Sequence, residues 1–210
     1  MPSPGHTSQP ASNGLRLLLT RPQDQAAEMA TRLAALGIET ITLPVLEIIG
    51  VAPDLSECEW VKADAFIFVS ANAVRYGLPY IPSGCRQKTP CFAIGRATAA
   101  ALQAGGVTHI TTPAEGNDSE ALLALPSLQD IAGQHITLVR GHSEAGGRRV
   151  LAQALQDRSA VVTPLICYHR RPRQWSDDER ETVRQQLQTQ QIHGIFAASV
   201  ETLESLMTNL

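Results

Sequence analysis

Hydrophobic and polar positions along the chain form a repeating pattern, in which short apolar runs precede segments whose apolar residues recur at helical spacing. This rhythm is typical of parallel strands that alternate with helices in an α/β protein. It predicts strands at 15–19, 39–43, 65–69, 91–94, 136–139, 161–162 and 194–196. It predicts helices at 24–36, where Gly37 is a fitting stop, and at 72–77, 96–104, 119–125, 148–156, 177–190 and 200–207.

Two extended segments interrupt this rhythm, and each begins at a proline. Residues 44–49 follow a strand without an intervening helix, and residues 164–170 do the same. The segments bracket residues 50–163, which predicts a middle domain inserted into an outer one, with the two segments paired as a two-stranded hinge. The outer domain would combine residues 15–43 with 171–210. One continuous sheet with both segments on its edge is the alternative.

Composition and charge limit the classes of partner. Aromatic residues make up 4% of the chain, too few for a base-stacking nucleic-acid platform, and the net charge of −3 gives no general attraction for DNA or a membrane surface. No apolar run approaches the roughly 20 residues of a membrane span. The four cysteines have neither C-x-x-C nor zinc spacing. We therefore expect a cytoplasmic monomer with reduced thiols, preceded by a disordered extension at 1–14.

Arginine follows the ends of two strands. Arg21 comes just after the strand at 15–19, and Arg140 follows the strand at 136–139. Ligands of open α/β sheets lie beyond the carboxyl ends of the strands, so the two arginines predict two half-sites for one anionic ligand. A surface arginine paired with a nearby carboxylate, worth about 0–1 kcal/mol, is the alternative at each position.

Small polar residues and glycines occupy other strand ends and helix starts. Hydroxyls and free backbone N–H groups at helix starts bind carboxylates, whereas plain helix caps and tight turns explain the same residues without a ligand. The candidates are Ser70, Asn72, Gly95, Thr98, Asn117, Ser119 and Ser199. The sequence leaves both explanations open.

The order of these motifs resembles the uroporphyrinogen-III synthase family. The resemblance extends over almost the whole chain from Leu15 onward, and it rests on the order and spacing of several motifs together. The matching segments are LTRP at 19–22 with QA at 25–26, LPVLEI at 43–48, FVSANAV at 68–74, AIGRATA at 93–99, VRG at 139–141 with GR at 147–148, and CYHR at 167–170.

The resemblance implies two flavodoxin-like α/β domains with a cleft between them. It also implies the substrate hydroxymethylbilane, a linear tetrapyrrole with eight carboxylates, which the family cyclises to uroporphyrinogen III with loss of water and inversion of the last pyrrole ring. No metal or organic cofactor is implied. The motifs assign Tyr168 as the proton donor to the leaving hydroxyl, and add Thr20, Gly141 and Arg148 to the substrate contacts. A hinge tyrosine that only packs between domains is the alternative for Tyr168.

The family pattern continues beyond the helix at 200–207 with further βα units, so we expect the outer domain of this chain to be incomplete at its carboxyl end. Two functions from other classes fit the same architecture. One is a non-catalytic two-domain binder of a small anionic metabolite. The other is an interaction module whose cleft is vestigial.

Overall fold

The computed structural model describes residues 14–56, 58–142 and 149–210, in which short strands alternate with helices. The strands are β1 (Arg16–Leu19), β2 (Glu39–Thr42), β3 (Leu46–Gly50), β4 (Ala65–Phe68), β5 (Cys91–Ala93), β6 (Ile110–Thr111), β7 (His135–His142), β8 (Val161–Pro172) and β9 (Gly194–Phe196). The helices are α1 (Gln23–Ala34), α2 (Ala71–Gly77), α3 (Ser83–Lys88), α4 (Arg96–Ala104), α5 (Ser119–Leu123), α6 (Arg149–Asp157), α7 (Asp177–Gln188) and α8 (Val200–Asn209). The predicted α/β class is confirmed. The predicted extension at 1–14 lies outside the described residues, Gly14 excepted.

The chain divides into two compact units. The outer unit contains the chain up to Glu47 together with Arg171–Leu210, and the inner unit contains Ile48–Arg170. In the three-stranded sheet, β1 lies between β2 and β9, and both pairings are parallel. The six-stranded sheet has the order β3-β8-β7-β4-β5-β6 and is parallel from β8 to β6. No helix in the described ranges is long and apolar enough to cross a membrane.

One strand replaces two predicted elements near the end of the inner unit. The sequence predicts a strand at 161–162 that is followed directly by an extended segment at 164–170. In the structure both belong to one continuous strand, β8, in which Pro164 is paired with Leu138 of β7. A strand tolerates proline wherever the ladder does not need its missing N–H.

The central strand of the inner unit is buried on both faces. The residues of β4 are no more than 3% exposed, as is typical of a parallel strand between two layers of helices. The neighbouring β7 buries Ile136, Leu138 and Val139 in the same core. The packed core therefore fixes the positions of the carboxyl ends of β4 and β7.

A buried asparagine closes the core of the outer unit. Asn209 is 1% exposed and Trp175 is 2% exposed. Asn209 Oδ1 accepts the Trp175 backbone N–H at 2.7 Å, and Asn209 Nδ2 donates to the carbonyls of Arg173 and Ser205 at 3.0 and 2.8 Å. The Trp175 indole N–H donates to the Pro44 carbonyl at 3.0 Å. Asn209 thus ties α8 to the segment that precedes α7.

We expect Asn209→Ala to destabilise the outer unit by about 1–3 kcal/mol, because the buried Trp175 N–H loses its acceptor. The free energy of unfolding in urea, followed by tryptophan fluorescence, measures the loss. Thr208→Ala, one residue earlier and exposed, is the matched control and should change that free energy by less than about 0.5 kcal/mol. Equal losses in the two variants would contradict the proposed role of Asn209.

A capping box begins α7 and lowers the pKa of a carboxylate. Ser176 Oγ accepts the Glu179 backbone N–H at 3.2 Å, and Glu179 Oε2 accepts the Ser176 N–H at 2.9 Å. The Arg173 guanidinium donates to Glu179 Oε1 at 2.8 Å. The hydrogen bond from Arg173 is the largest cause that lowers the pKa of Glu179, followed by the hydrogen bond from the Ser176 backbone.

Glu179→Gln should remove part of the acid sensitivity of the outer unit. A folded-state pKa below the unfolded value of about 4.3 stabilises the fold above that pH, and the contribution is lost as the pH falls through the folded pKa. We expect the wild type to exceed the variant in unfolding free energy at neutral pH, with a difference that shrinks as the solution is acidified below about pH 4. Urea unfolding at several pH values tests this, and a difference that is constant with pH would refute it.

Candidate active site

A β-bulge turns Tyr168 into the interior of the inner unit. In the β7–β8 ladder Arg140 is paired with Ile166 but Gly141 is paired with Tyr168, so Cys167 is an extra residue. Strict alternation would place Cys167 and Tyr168 on opposite faces, yet they are only 0% and 3% exposed. The bulge therefore lets two successive side chains point inward.

The Tyr168 hydroxyl meets the serine that begins α2. Tyr168 Oη and Ser70 Oγ are 2.9 Å apart, a hydrogen bond in which either hydroxyl can be the donor. Ser70 Oγ also accepts the Ala73 backbone N–H at 2.9 Å, which confirms the predicted N-cap. Because Ser70 follows the buried strand β4, the core fixes the position of the phenol oxygen.

Gly141 and Tyr76 enclose the Tyr168 ring. A Cβ atom at Gly141 would collide with the ring, so the ring lies against the backbone of β7. The Tyr76 ring, on α2, is tilted by 39° to that of Tyr168, with centroids 6.0 Å apart, within the range of favourable aromatic pairs. The absence of a side chain at Gly141 makes room for the phenol ring, and the substrate contact that the resemblance implies for this glycine stays a prediction.

The thiol beside Tyr168 is unsuited to nucleophilic chemistry. Burial raises the pKa of the Cys167 thiol to about 12. Cys167 Sγ lies 3.8 Å from the Ala73 carbonyl oxygen and 3.5 Å from that of Arg140. A thiol that stays protonated and bonded to the backbone is inert, which leaves the phenol as the candidate reactive group at the bulge.

A cavity of about 520 Å³ lies where β5 meets α4. It brings together three predicted contacts, Gly95, Thr98 and Asn117. Arg96 lines the same cavity, and its Nη2 donates to the Ala114 carbonyl at 3.2 Å. A cation beside the backbone N–H groups of a helix start suits a carboxylate ligand.

Packing in the cavity wall explains why residue 95 is a glycine. A Cβ atom at Gly95 would lie 2.6 Å from Asn117 Cβ, so the glycine admits the loop before α5. Asp118 is the N-cap of α5, and Ser119 is the half-buried first residue of that helix. Glu115 also lines the cavity, and its carboxylate would repel an anion close to it.

Two further candidates of the inner unit lie near the ends of its strands. Arg140 is half-buried, and its Nε donates to the Gly141 carbonyl at 3.2 Å. Asn72 is half-buried in the first turn of α2, two residues after Ser70. Arg148 lies outside the described residues.

The outer unit contains the other three candidates. Thr20 is fully buried, and its hydroxyl donates to the Phe196 carbonyl at 2.7 Å, so this side chain joins the ends of β1 and β9. Arg21 Nη2 donates to Gln25 Oε1 at 3.0 Å. Ser199 is exposed and caps α8, as predicted, since its Oγ accepts the backbone N–H of Thr202 at 3.2 Å. Arg21 and Ser199 are therefore the accessible candidates of this unit.

No sequence pattern singled out Tyr76 or Arg96. Arg96 directly follows Gly95 in a strand-to-helix turn. A positive charge at the end of a strand is the feature that predicted Arg21, and the same feature could have predicted Arg96. Tyr76 lies on α2 with nothing in its sequence neighbourhood to mark it. Only the packing of α2 on β7 and β8 reveals its contact with the Tyr168 ring.

Parallel strands with polar and cationic groups at their carboxyl ends are typical of α/β enzymes that act on small molecules. The chain belongs to the uroporphyrinogen-III synthase family, because the family model described as uroporphyrinogen-III synthase HemD matches residues 27–210. It is therefore a cyclising lyase of tetrapyrrole biosynthesis.

Curated relatives agree with this assignment, and solved structures share the fold. Uroporphyrinogen-III synthase of Salmonella typhimurium (strain LT2) is 31% identical over 199 residues, which are 91% of this chain and 78% of the relative. That of Synechococcus elongatus is 33% identical over 183 residues, 82% of this chain and 67% of the relative. The fold is similar to that of uroporphyrinogen-III synthetase from Helicobacter pylori 26695, with a TM-score of 0.63 and 13% identity over 93% of this chain and 78% of the other. A mutant uroporphyrinogen III synthase from the extremely thermophilic bacterium Thermus thermophilus gives a TM-score of 0.58 and 20% identity over 93% and 77%.

Proposed function

We propose that this chain converts hydroxymethylbilane into uroporphyrinogen III, with Tyr168 as the general acid. The observation that carries the proposal is the Tyr168 hydroxyl, held 2.9 Å from Ser70 Oγ at the carboxyl end of β4. Loss of the substrate hydroxyl as water needs a proton, and a neutral phenol has one to give. Family membership supports the substrate, and the placement of the phenol supports its role.

The proposed reaction begins with proton transfer. Tyr168 gives its proton to the hydroxyl oxygen of the bilane as the carbon–oxygen bond breaks, and water leaves. The methylene carbon left behind is electron-poor and is attacked by the substituted carbon of the last pyrrole ring. This attack forms a spiro intermediate, in which the bond from the same carbon to its original methylene bridge then breaks. The freed methylene carbon is attacked by the unsubstituted carbon of the last ring, which inverts that ring, and the proton lost from this carbon restores the phenol. Donation from Ser70 to the phenol oxygen stabilises the negative charge between these steps.

Positioning supplies the rest of catalysis. Ring closure in solution gives the uninverted isomer, so the enzyme must hold the last ring where its substituted carbon, and not the free one, reaches the methylene carbon. In the inner unit, Arg96, Arg140 and the N–H groups at the start of α4 are the proposed carboxylate contacts. Each charge-assisted hydrogen bond contributes about 1.5–3 kcal/mol. In the outer unit, Arg21 and Ser199 are the proposed contacts.

The finer architecture belongs to the same proposal. The parallel three-stranded sheet and the parallel run from β8 to β6 support two flavodoxin-like domains, the middle one inserted at the hinge segments 44–49 and 164–170. The cysteine usage and the near-neutral charge support a cytoplasmic enzyme that acts as a monomer without nucleic-acid or membrane partners. Size-exclusion chromatography with light scattering tests the monomer.

The isomer ratio of the product tests the function. Freshly generated hydroxymethylbilane is incubated with the protein, the product is oxidised, and the type I and type III porphyrins are separated. We expect type III to dominate, and the type I background to fall as enzyme is added. Type I alone, formed at the spontaneous rate, would overturn the proposal. Binding of the bilane without conversion would favour the non-catalytic binder.

A further inference from the structure

The last register pair of the β7–β8 ladder consists of two histidines. His142 is paired with His169, one step beyond Gly141 and Tyr168. Both histidines are exposed whereas Tyr168 is buried, so alternation places the two imidazoles on the opposite face of the sheet from the phenol. Their ring centroids are 5.3 Å apart, and the ring planes are tilted by 40°.

We propose that His142 and His169 together bind a divalent transition-metal ion of the zinc class. Side chains at paired positions of neighbouring strands point to the same side, with the strands about 4.8 Å apart. Two imidazoles on one tetrahedral Zn²⁺, with Zn–N bonds of about 2.0–2.1 Å, have ring centroids about 5 Å apart. The observed separation of 5.3 Å meets that requirement without movement of the strands.

The chemistry of the pair selects the class of ion. Neutral imidazole nitrogen suits Zn²⁺, Ni²⁺ and Cu²⁺, whereas Mg²⁺ and Ca²⁺ require oxygen ligands. Alternation along β7 places the cationic Arg140 on the same face as His142. Its charge repels any metal ion, so the ion must be held by coordination bonds to the imidazoles and not by charge. Among the described residues, no cluster of three or more His, Cys, Asp or Glu side chains could hold a metal. The site therefore offers two protein ligands and leaves the other positions to water or an anion, so the ion exchanges readily.

An ion at this site would join β7 to β8 next to the bulge. It would link the two strands at the residue pair that follows Gly141 and Tyr168. Because the ion binds the folded ladder and not the unfolded chain, it would stabilise the folded state. The inference rests on the histidine pair alone and holds or fails independently of the proposed reaction.

Calorimetric titration of Zn²⁺ into the full chain, with a phosphine reductant present, tests the site. We expect a single saturable site of moderate affinity in the wild type, as suits two protein ligands. His142→Ala and His169→Ala should each weaken binding by about tenfold or more, since loss of even an outer-shell partner of a metal site costs that much. His109→Ala removes an exposed imidazole from elsewhere in the inner unit and should leave the affinity unchanged.

Thermal unfolding gives a second readout with the same proteins. Zn²⁺ should raise the unfolding midpoint of the wild type and of His109→Ala, and a chelator should reverse the increase. At the same Zn²⁺ concentration the two variants of the pair should show a much smaller increase. Because both side chains are exposed, the variants should match the wild type in circular dichroism. Affinity that survives unchanged in both variants would assign the ion to other donors and overturn the proposal, as would a wild type that binds no Zn²⁺.

Discussion

Replacing Tyr168 by phenylalanine is expected to lower kcat by about 10²-fold or more with little change in KM, because the substitution removes the general acid and keeps the ring. The ring is 3% exposed and lies against Gly141, so phenylalanine fills the same space. The initial rate of type III formation, corrected for spontaneous closure, measures the effect. Tyr80→Phe makes the same chemical change at a position that is 39% exposed and should leave the rate unaltered. If Tyr168→Phe kept full activity, Tyr168 would not be the general acid. The proposed overall reaction, which the isomer ratio tests, would still stand.

A double-mutant cycle separates the two roles of Ser70. Glycine is almost as good an N-cap as serine, so Ser70→Gly keeps the start of α2 while it deletes the hydroxyl that meets Tyr168. If Ser70 acts through the phenol, this substitution should lower kcat by about tenfold in the wild type and add little to Tyr168→Phe. Equal effects in the two backgrounds would show that Ser70 acts elsewhere.

Gly141→Ala is expected to destabilise the inner unit by about 1–3 kcal/mol and to lower the rate, because the added methyl group collides with the Tyr168 ring. Urea unfolding and the type III assay measure the two losses. Gly84→Ala, in α3, is the matched control, since a Cβ atom there meets nothing within 4 Å. It should be neutral or slightly stabilising.

A second substitution shows whether the collision is the cause. Tyr168→Leu removes the ring, so in the Gly141→Ala background it should recover part of the lost stability while the enzyme stays inactive. Stability that falls further in the double variant would rule out the Tyr168 ring as the source of the strain.

Apolar periodicity located most elements because the helices and strands are regular and bounded by clear signals. α4 and β9 have the predicted bounds, and Gly37, with a φ of +73°, follows α1 as expected. The two-residue β6 and the six-residue α3 are too short for a period to be visible. Pairing with β7 overrides the local preference of Pro164, so β8 is continuous.

From the sequence, only those parts of the site that depend on neighbouring residues could be predicted. Ser70 and Ser199 could be predicted as caps, because each stands between an apolar strand and a helix. The contact between Ser70 and Tyr168 joins residues 98 positions apart, and it depends on a bulge for which an ordinary strand pattern gives no signal. The role of Gly141 likewise depends on which side chain lies opposite it in the ladder.

The bulge also determines where β8 can vary in length. Pairing is regular on both sides of Cys167, so a chain that lost this residue would still place Tyr168 opposite Gly141. Removal of a residue from within the regular pairs would instead turn every side chain between that point and the bulge to the other face. Relatives and engineered variants should therefore tolerate a gap at Cys167 more readily than anywhere else in the strand.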